Sequence, residues 1–203
     1  MDRTQHWEDV YRTKSSTEVS WYEPDPKQSF DLILKAAGAS RGRVIDVGGG
    51  QSFLVDGLLD AEFQQVAVLD ISSAAIEATK ARLGERADRV EWIVADISTV
   101  DTLGQFDIWH DRAVLHFLID PEDQTRYVHL LKRTLPPGGH FTVGAFAKGG
   151  PEKCSGLQVQ QYNERSMCDL LGSEFVHVQS LDYMHTTPST KQQQFYFGIF
   201  RRI

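Results

Sequence analysis

The sequence predicts an α/β fold: a doubly wound sheet of seven strands, mostly parallel, with an antiparallel hairpin at the carboxyl end. Three observations predict it. From residue 43 onward, short β-branched runs alternate with longer helical patterns, as βαβ units require. The first of these runs passes straight into three glycines and then a helical segment. The last two runs are separated by a short polar loop rather than a helix, which makes them antiparallel.

The elements follow in order. A helix is expected near residues 5–13, and a second from about Pro26 to Ala37, stopped by Gly38. Strands are expected at Arg43–Val47, Val66–Asp70, Val90–Ala95, Phe106–Asp111 and His140–Ala145, each short and apolar, as a strand covered on both faces should be. A helix beginning near Phe53 joins the first two. Residues 73–83 place Ile76 and Leu83 on one helical face and end at Gly84. Residues 121–134 open on Pro121 and bury Tyr127, Val128, Leu130 and Leu131, and Pro136-Pro137-Gly138-Gly139 then turns the chain into the fifth strand. Phe175–Tyr183 and Gln193–Phe200 form the hairpin. No repeat or linker divides the chain, so residues 1–203 read as one domain, with 1–40 as a helical amino-terminal cap.

Composition narrows the function. The 203 residues are 41% hydrophobic and 24% charged, ordinary for a globular domain that needs no disulfide or metal to hold its core. Lys+Arg of 21 against Asp+Glu of 28 gives −7, which argues against nucleic-acid or anionic-lipid partners. The short basic pairs, Lys80 with Arg82 and Lys132 with Arg133, fall on solvated helix faces. Cys154 and Cys168 have neither CxxC nor zinc spacing, so no metal is expected and a reduced compartment is. The start lacks an apolar signal core, and no apolar run approaches the ~18 residues of a membrane span, so a cytoplasmic protein is expected.

The strongest local signal is Val44-Ile45-Asp46-Val47-Gly48-Gly49-Gly50-Gln51-Ser52. Glycines let a ligand approach the backbone, and Asp46 sets a carboxylate beside the crevice where open α/β sheets bind ligands; a bare strand-to-helix turn would use the same residues. A dinucleotide fingerprint would need a glycine where Phe53 stands, and the phosphate-loop pattern is absent. A nucleoside without a pyrophosphate remains. Asp70, in Leu69-Asp70-Ile71, suits ribose hydroxyls. Asp96, in Val94-Ala95-Asp96-Ile97, suits an adenine amine with Ile97 against the ring, or equally a cap for the next segment.

This order of motifs resembles the class I S-adenosylmethionine-dependent methyltransferases. Phe106 to Leu118 resembles that family's fourth-strand motif, and Leu135-Pro136-Pro137-Gly138-Gly139 the turn before its fifth strand. The likeness covers residues 40–146 by motif and the whole chain by element order. It implies a Rossmann-like fold, an enzyme, and S-adenosylmethionine as cofactor. By the same likeness Asp46, Gly48, Gly49 and Gly50 would hold the methionine end, Asp70 with Ile71 the ribose, and Asp96 with Ile97 the adenine, while Asp111 and Arg112 would lie beside the sulfonium. Many members carry Cys or another small residue where Gly49 stands, so the triple glycine is expected only to loosen the turn.

Trp7-x-x-x-Tyr11 followed by Ser20-Trp21-Tyr22 is similar to thiopurine S-methyltransferases and methyltransferase-like protein-lysine enzymes. That likeness implies a mobile lid, with Trp21 on the cofactor and Trp7, Tyr11 and Tyr22 on the acceptor; ordinary aromatic packing is the alternative. His116, five residues past Asp111, is expected on the crevice rim as a general base, or else as a structural histidine, and His110 as structural. Cys154, in the loop after the fifth strand, and His185, before the final turn, are candidates for the acceptor rim. The resulting expectation is methyl transfer to a sulfur, nitrogen or related nucleophile of a small molecule. Protein-lysine methylation is the alternative, followed by a non-catalytic cofactor-binding protein.

Overall fold

A computed structural model describes residues 2–203; Met1, the first residue of the expected cap, lies outside the described residues. Two helices, α1 (Arg3–Thr13) and α2 (Lys27–Ala37), precede the alternating part. There β1 (Arg43–Val47), α3 (Leu54–Asp60), β2 (Gln65–Asp70), α4 (Ser73–Leu83), β3 (Val90–Val94), β4 (Ile108–Arg112), α5 (Pro121–Thr134) and β5 (His140–Phe146) follow. A short pair, β6 (Lys153–Cys154) and β7 (Leu157–Gln158), then α6 (Glu164–Leu171), β8 (Phe175–Thr186) and β9 (Gln192–Arg202) complete the chain.

The seven-stranded sheet runs β3-β2-β1-β4-β5-β9-β8, with β1 to β5 parallel and β9 antiparallel to both β5 and β8. The chain winds outward in one direction from β1 and in the other from β4. A crevice therefore opens above the carboxyl ends of these two strands, where Asp46 lies level with His110 and Val47 with Asp111.

Period-two alternation sends side chains to two cores. On one face Ile45, Val47, Trp109, Phe141 and Val143 pack with Tyr127 and Leu131 of α5 and Met167 and Leu171 of α6. On the other, Val44, Val66, Val68 and Ile108 meet Ile33 of α2 and Leu54 and Leu58 of α3. Caps fall where the sequence puts cap residues: Ser72 accepts from the Ala75 amide at 3.2 Å, and Asp120 from the Glu122 amide at 2.8 Å in front of Pro121.

Three features differ from the expectation. β4 begins at Ile108, because the Phe106 amide bonds the Thr134 carbonyl instead of a strand. β3 is an edge strand, so Glu91 and Val94 face solvent where a doubly covered strand was expected. The sequence reading passed over α6, although Asn163 caps it and Gly172 stops it, with Met167 and Leu171 four apart on the buried side. No helix among the described residues is long and apolar enough to cross a membrane.

Candidate active site

Each glycine of the loop after β1 is held by close packing. Gly48 has φ of +74°, and a Cβ there would lie 2.0 Å from Cγ2 of Val114. Gly49 leaves no slack either, since its Cβ would meet Oδ2 of Asp46 at 2.7 Å and Cγ1 of Val68 at 2.8 Å. Gly49 thus tightens the turn rather than loosening it. Gly48→Ala is expected to cost about 2–4 kcal/mol, from left-handed strain plus overpacking, and Val114→Ala should recover the packing share only; thermal denaturation of the single and double variants measures both.

Two adjoining cavities fill the crevice. The larger, about 820 Å³, is bordered by Asp70, Ile71, Asp96 and Ile97 on the β2–β3 side and by Phe146, Cys154 and Phe195 on the β5–β9 side. The smaller, about 590 Å³, is lined by Asp46, Gly48, Gly49, Ser52, Tyr22 and Glu23. Tyr11, Trp21, Gly48 and Arg112 border both.

The carboxylates differ in what they can offer. Asp46 is buried and receives no hydrogen bond from any described residue; burial, with the nearby charges of Asp111 and Asp70, raises its pKa to about 7. Asp70 is raised to about 6 by burial, against the hydrogen bond from the Ser72 amide at 2.8 Å. Asp96 turns one oxygen to the Ser98 amide and hydroxyl at 2.9 and 2.8 Å, which makes it the cap of its own turn while it still borders the cavity.

Asp111 lies elsewhere. Expected beside the cofactor, it borders neither cavity: its carboxylate accepts from the Val114 amide at 3.0 Å, the Leu115 amide at 3.1 Å and the Tyr127 hydroxyl at 2.6 Å. These donors draw it into the core, where it fastens the turn after β4. In that turn Ala113 carries φ of +67°, a strained conformation for a residue with a Cβ, held at the cavity wall.

His116 is also displaced from its expected place. It sits in a short 3-10 turn, Leu115–Phe117, fully buried and outside both cavities, its ring 4.4 Å from Phe117 and 4.7 Å from Phe146. Burial, then the Arg112 charge, pushes its pKa down to about 3, so the ring stays neutral. A base on the rim is therefore not what this position provides. His110 is structural as expected, with Nδ1 2.9 Å from the Thr142 hydroxyl.

The segment before α2 forms the roof. Trp7 packs edge-on to Trp21 at 5.6 Å and to Phe117 at 5.1 Å, and Tyr11 stands 6.3 Å from Trp7. Glu8 takes the amide and hydroxyl of Ser73 at 2.6 and 2.7 Å, at the start of α4; burial works against its charge, but these bonds outweigh it and hold its carboxyl below the ordinary value. Arg3 reaches the Ser98 hydroxyl at 3.0 Å and pairs with Asp123. Arg112 donates to the Trp21 carbonyl at 3.0 Å and pairs with Glu23 at 2.9 Å. Tyr22 meets Phe53 at 6.5 Å beside the smaller cavity.

His185 is a fastening of this roof, not a rim residue. It borders neither cavity; Nε2 lies 2.7 Å from the Ser20 carbonyl and Nδ1 3.2 Å from Glu23, so the ring ties the end of β8 to the roof. Arg112→Ala should release this corner, seen as faster amide hydrogen exchange across residues 14–23 with exchange in β1 unchanged. Cys154 does border the larger cavity, buried in β6, and burial raises its thiol pKa, so it stays protonated. Arg3, Glu23, Phe146, Gln193 and Phe195 reach the site although no sequence motif singled them out, because only the fold brings them there.

Comparison with known proteins agrees with this geometry. Residues 44–139 match the family described as "Methyltransferase domain". Nodulation protein S of Rhizobium fredii is 32% identical over 91 residues, which cover 45% of this chain and 51% of that protein, so the chain spans about half of that relative's length. N-methyltransferase NodS from Bradyrhizobium japonicum WM9, solved with S-adenosyl-L-homocysteine, superposes with a TM-score of 0.74 over 99% of both chains at 16% identity. The 1,6-didemethyltoxoflavin-N1-methyltransferase of Burkholderia thailandensis, with bound 1,6-didemethyltoxoflavin and S-adenosylhomocysteine, gives 0.70 over 98% of this chain and 83% of that one at 19% identity. With the motif order, the glycine loop and the strand-end carboxylates in place, residues 44–139 are similar to a methyltransferase domain, and the chain as a whole has the fold of these solved methyltransferases.

Proposed function

We propose that the protein moves a methyl group from S-adenosylmethionine to a nucleophilic atom, sulfur or more readily nitrogen, of a small molecule. The observation that carries this reading is the roofed crevice: α1 and the rings of Trp7 and Trp21 cover the cavity at the strand ends, which favours a nucleoside and a small partner over a polymer. The names of the two structural relatives, both N-methyltransferases, favour nitrogen.

The residues fit the cofactor. Asp46, buried and without an internal donor, would take the ammonium of the methionine end, Asp70 the ribose hydroxyls, and Asp96 with Ile97 the adenine. When bound, S-adenosylmethionine supplies a methyl carbon made electrophilic by a sulfonium leaving group. The chain's own work is then alignment and exclusion of water: Trp7, Trp21 and Phe117 wall the larger cavity, and a positioned nucleophile needs no covalent help. His116→Gln should accordingly keep kcat within about tenfold of wild type and add no change to its pH profile, whereas a general base would lose about 10²–10⁴-fold. Methyl-labelled S-adenosylmethionine, offered with panels of thiols and amines and with protein extract, tests the function. Label in small molecules is the expected result. Label only in protein would move the assignment to protein-lysine methylation, and no transfer to anything would leave a cofactor-binding protein.

A further inference from the structure

Once the β2–β3 side of the larger cavity is given to the cofactor, the wall left for an acceptor is built of rings. Trp7 and Phe117 stand 5.1 Å apart on one side, and Phe146 and Phe195 4.8 Å apart on another. Rings that meet edge to face leave flat faces for a flat guest, and burying an aromatic ring among them gains more than burying an aliphatic chain of equal area.

The charges at this end exclude ionic guests. The Arg112 guanidinium lies 5.2 Å from the Phe195 ring centre and no carboxylate borders this end, so a cationic amine would find no counter-charge here. An anion fares no better, because Arg112 is already paired with Glu23 at 2.9 Å and with the Trp21 carbonyl. The carboxylates of the larger cavity, Asp70 and Asp96, border its opposite side, and the Cys154 thiol is held protonated by burial. Besides the Trp7 indole N–H and the Tyr11 hydroxyl on the roof, the amide of Gln193, half-buried in β9, borders this cavity without a hydrogen bond from its side chain to any described residue, and of the three it alone is an amide, with a donor and an acceptor side by side.

We infer that the acceptor is a neutral, planar nitrogen heteroaromatic with a lactam-like N–H and C=O edge, its faces between these rings and its edge read by Gln193. The inference rests on the methyl-transfer reading of the same crevice and names its substrate class. In the reaction, a ring nitrogen lone pair forms the new bond to the methyl carbon as the carbon–sulfur bond breaks with its electrons going to sulfur. The methylated ring is then a cation whose lactam N–H is strongly acidic, and that proton leaves to water, so no protein base is consumed.

Calorimetry on the full chain, with and without saturating S-adenosylhomocysteine, tests it with four probes: quinazolin-4-one, its ring-saturated analogue, butylamine and benzoate. Quinazolin-4-one should bind at least about tenfold more tightly than the other three, and Gln193→Leu or Gln193→Glu should erase most of that advantage without weakening S-adenosylhomocysteine. Equal or tighter binding of butylamine, benzoate or the saturated ring, no binding of quinazolin-4-one, or an advantage untouched by both Gln193 variants overturns the inference. The methyl-transfer reading fails separately: it is sunk by absent S-adenosylhomocysteine binding, whatever the ring probes do, and it survives if label passes to a non-aromatic acceptor.

Discussion

Asp46→Asn is expected to weaken S-adenosylmethionine binding about 10–10²-fold near pH 8 while making the ligand-free protein more stable at that pH. Both effects come from one buried carboxylate that no described residue serves with a hydrogen bond. Its pKa in the folded chain is about 7, against an ordinary value of 3.8, so between these limits the folded state holds a proton that the unfolded state has lost. Stability conferred by this site therefore falls as pH rises through that window, and above it the full cost of a buried charge is present. Asparagine removes that cost, so the melting temperature should rise by a few degrees near pH 8 and by nothing near pH 4. The cofactor's ammonium needs the charged form. Wild-type affinity should consequently drop as pH is lowered below about 7, and the variant should lose that slope. Titration calorimetry and thermal melts at both pH values measure the pair; unchanged affinity would show that Asp46 faces no ligand ammonium, and a lower melting temperature near pH 8 that its charge does not cost the fold stability.

Asp70→Ala is expected to weaken the cofactor by about 10²-fold, since it removes a charged acceptor for two hydroxyls at roughly 1.5–3 kcal/mol each before water compensates. Part of any loss could come from the backbone, because Asp70 also receives the Ser72 amide at 2.8 Å ahead of α4. A cofactor analogue lacking the ribose hydroxyls separates the two contributions. Wild type should bind that analogue about 10²-fold less tightly than S-adenosylhomocysteine, whereas Asp70→Ala should discriminate little between them. If the variant still discriminates fully, the ribose is held by another residue.

Much of the sheet was legible because its signals are local. A β-branched run of five or six residues closed by Asp and Gly can be read without knowing what packs on it, and β1, β2 and β5 lie where those runs predict. The glycine loop was legible for the same reason, but its tightness was not: the atoms that forbid a Cβ at Gly48 and Gly49 belong to Val114, Val68 and Asp46. The signals for α6 were present and local too, in Asn163, Gly172 and the spacing of Met167 and Leu171.

By itself the sequence determined the order of strands and helices, the crevice at the strand ends and the acidic residues placed around it, since each depends on neighbours within a few positions. Only the tertiary structure decided where those side chains point. Asp111 could have faced the crevice, but the Tyr127 hydroxyl, sixteen residues on, and the amides of a strained turn drew it into the core. His116 became a buried neutral ring because Phe146 and Phe117 close over it, and His185 a fastening of the roof because the chain 165 residues earlier presents Ser20 to it. A polar side chain at a strand end takes the partner that reaches it first in a low-dielectric interior, and that partner can come from anywhere in the chain.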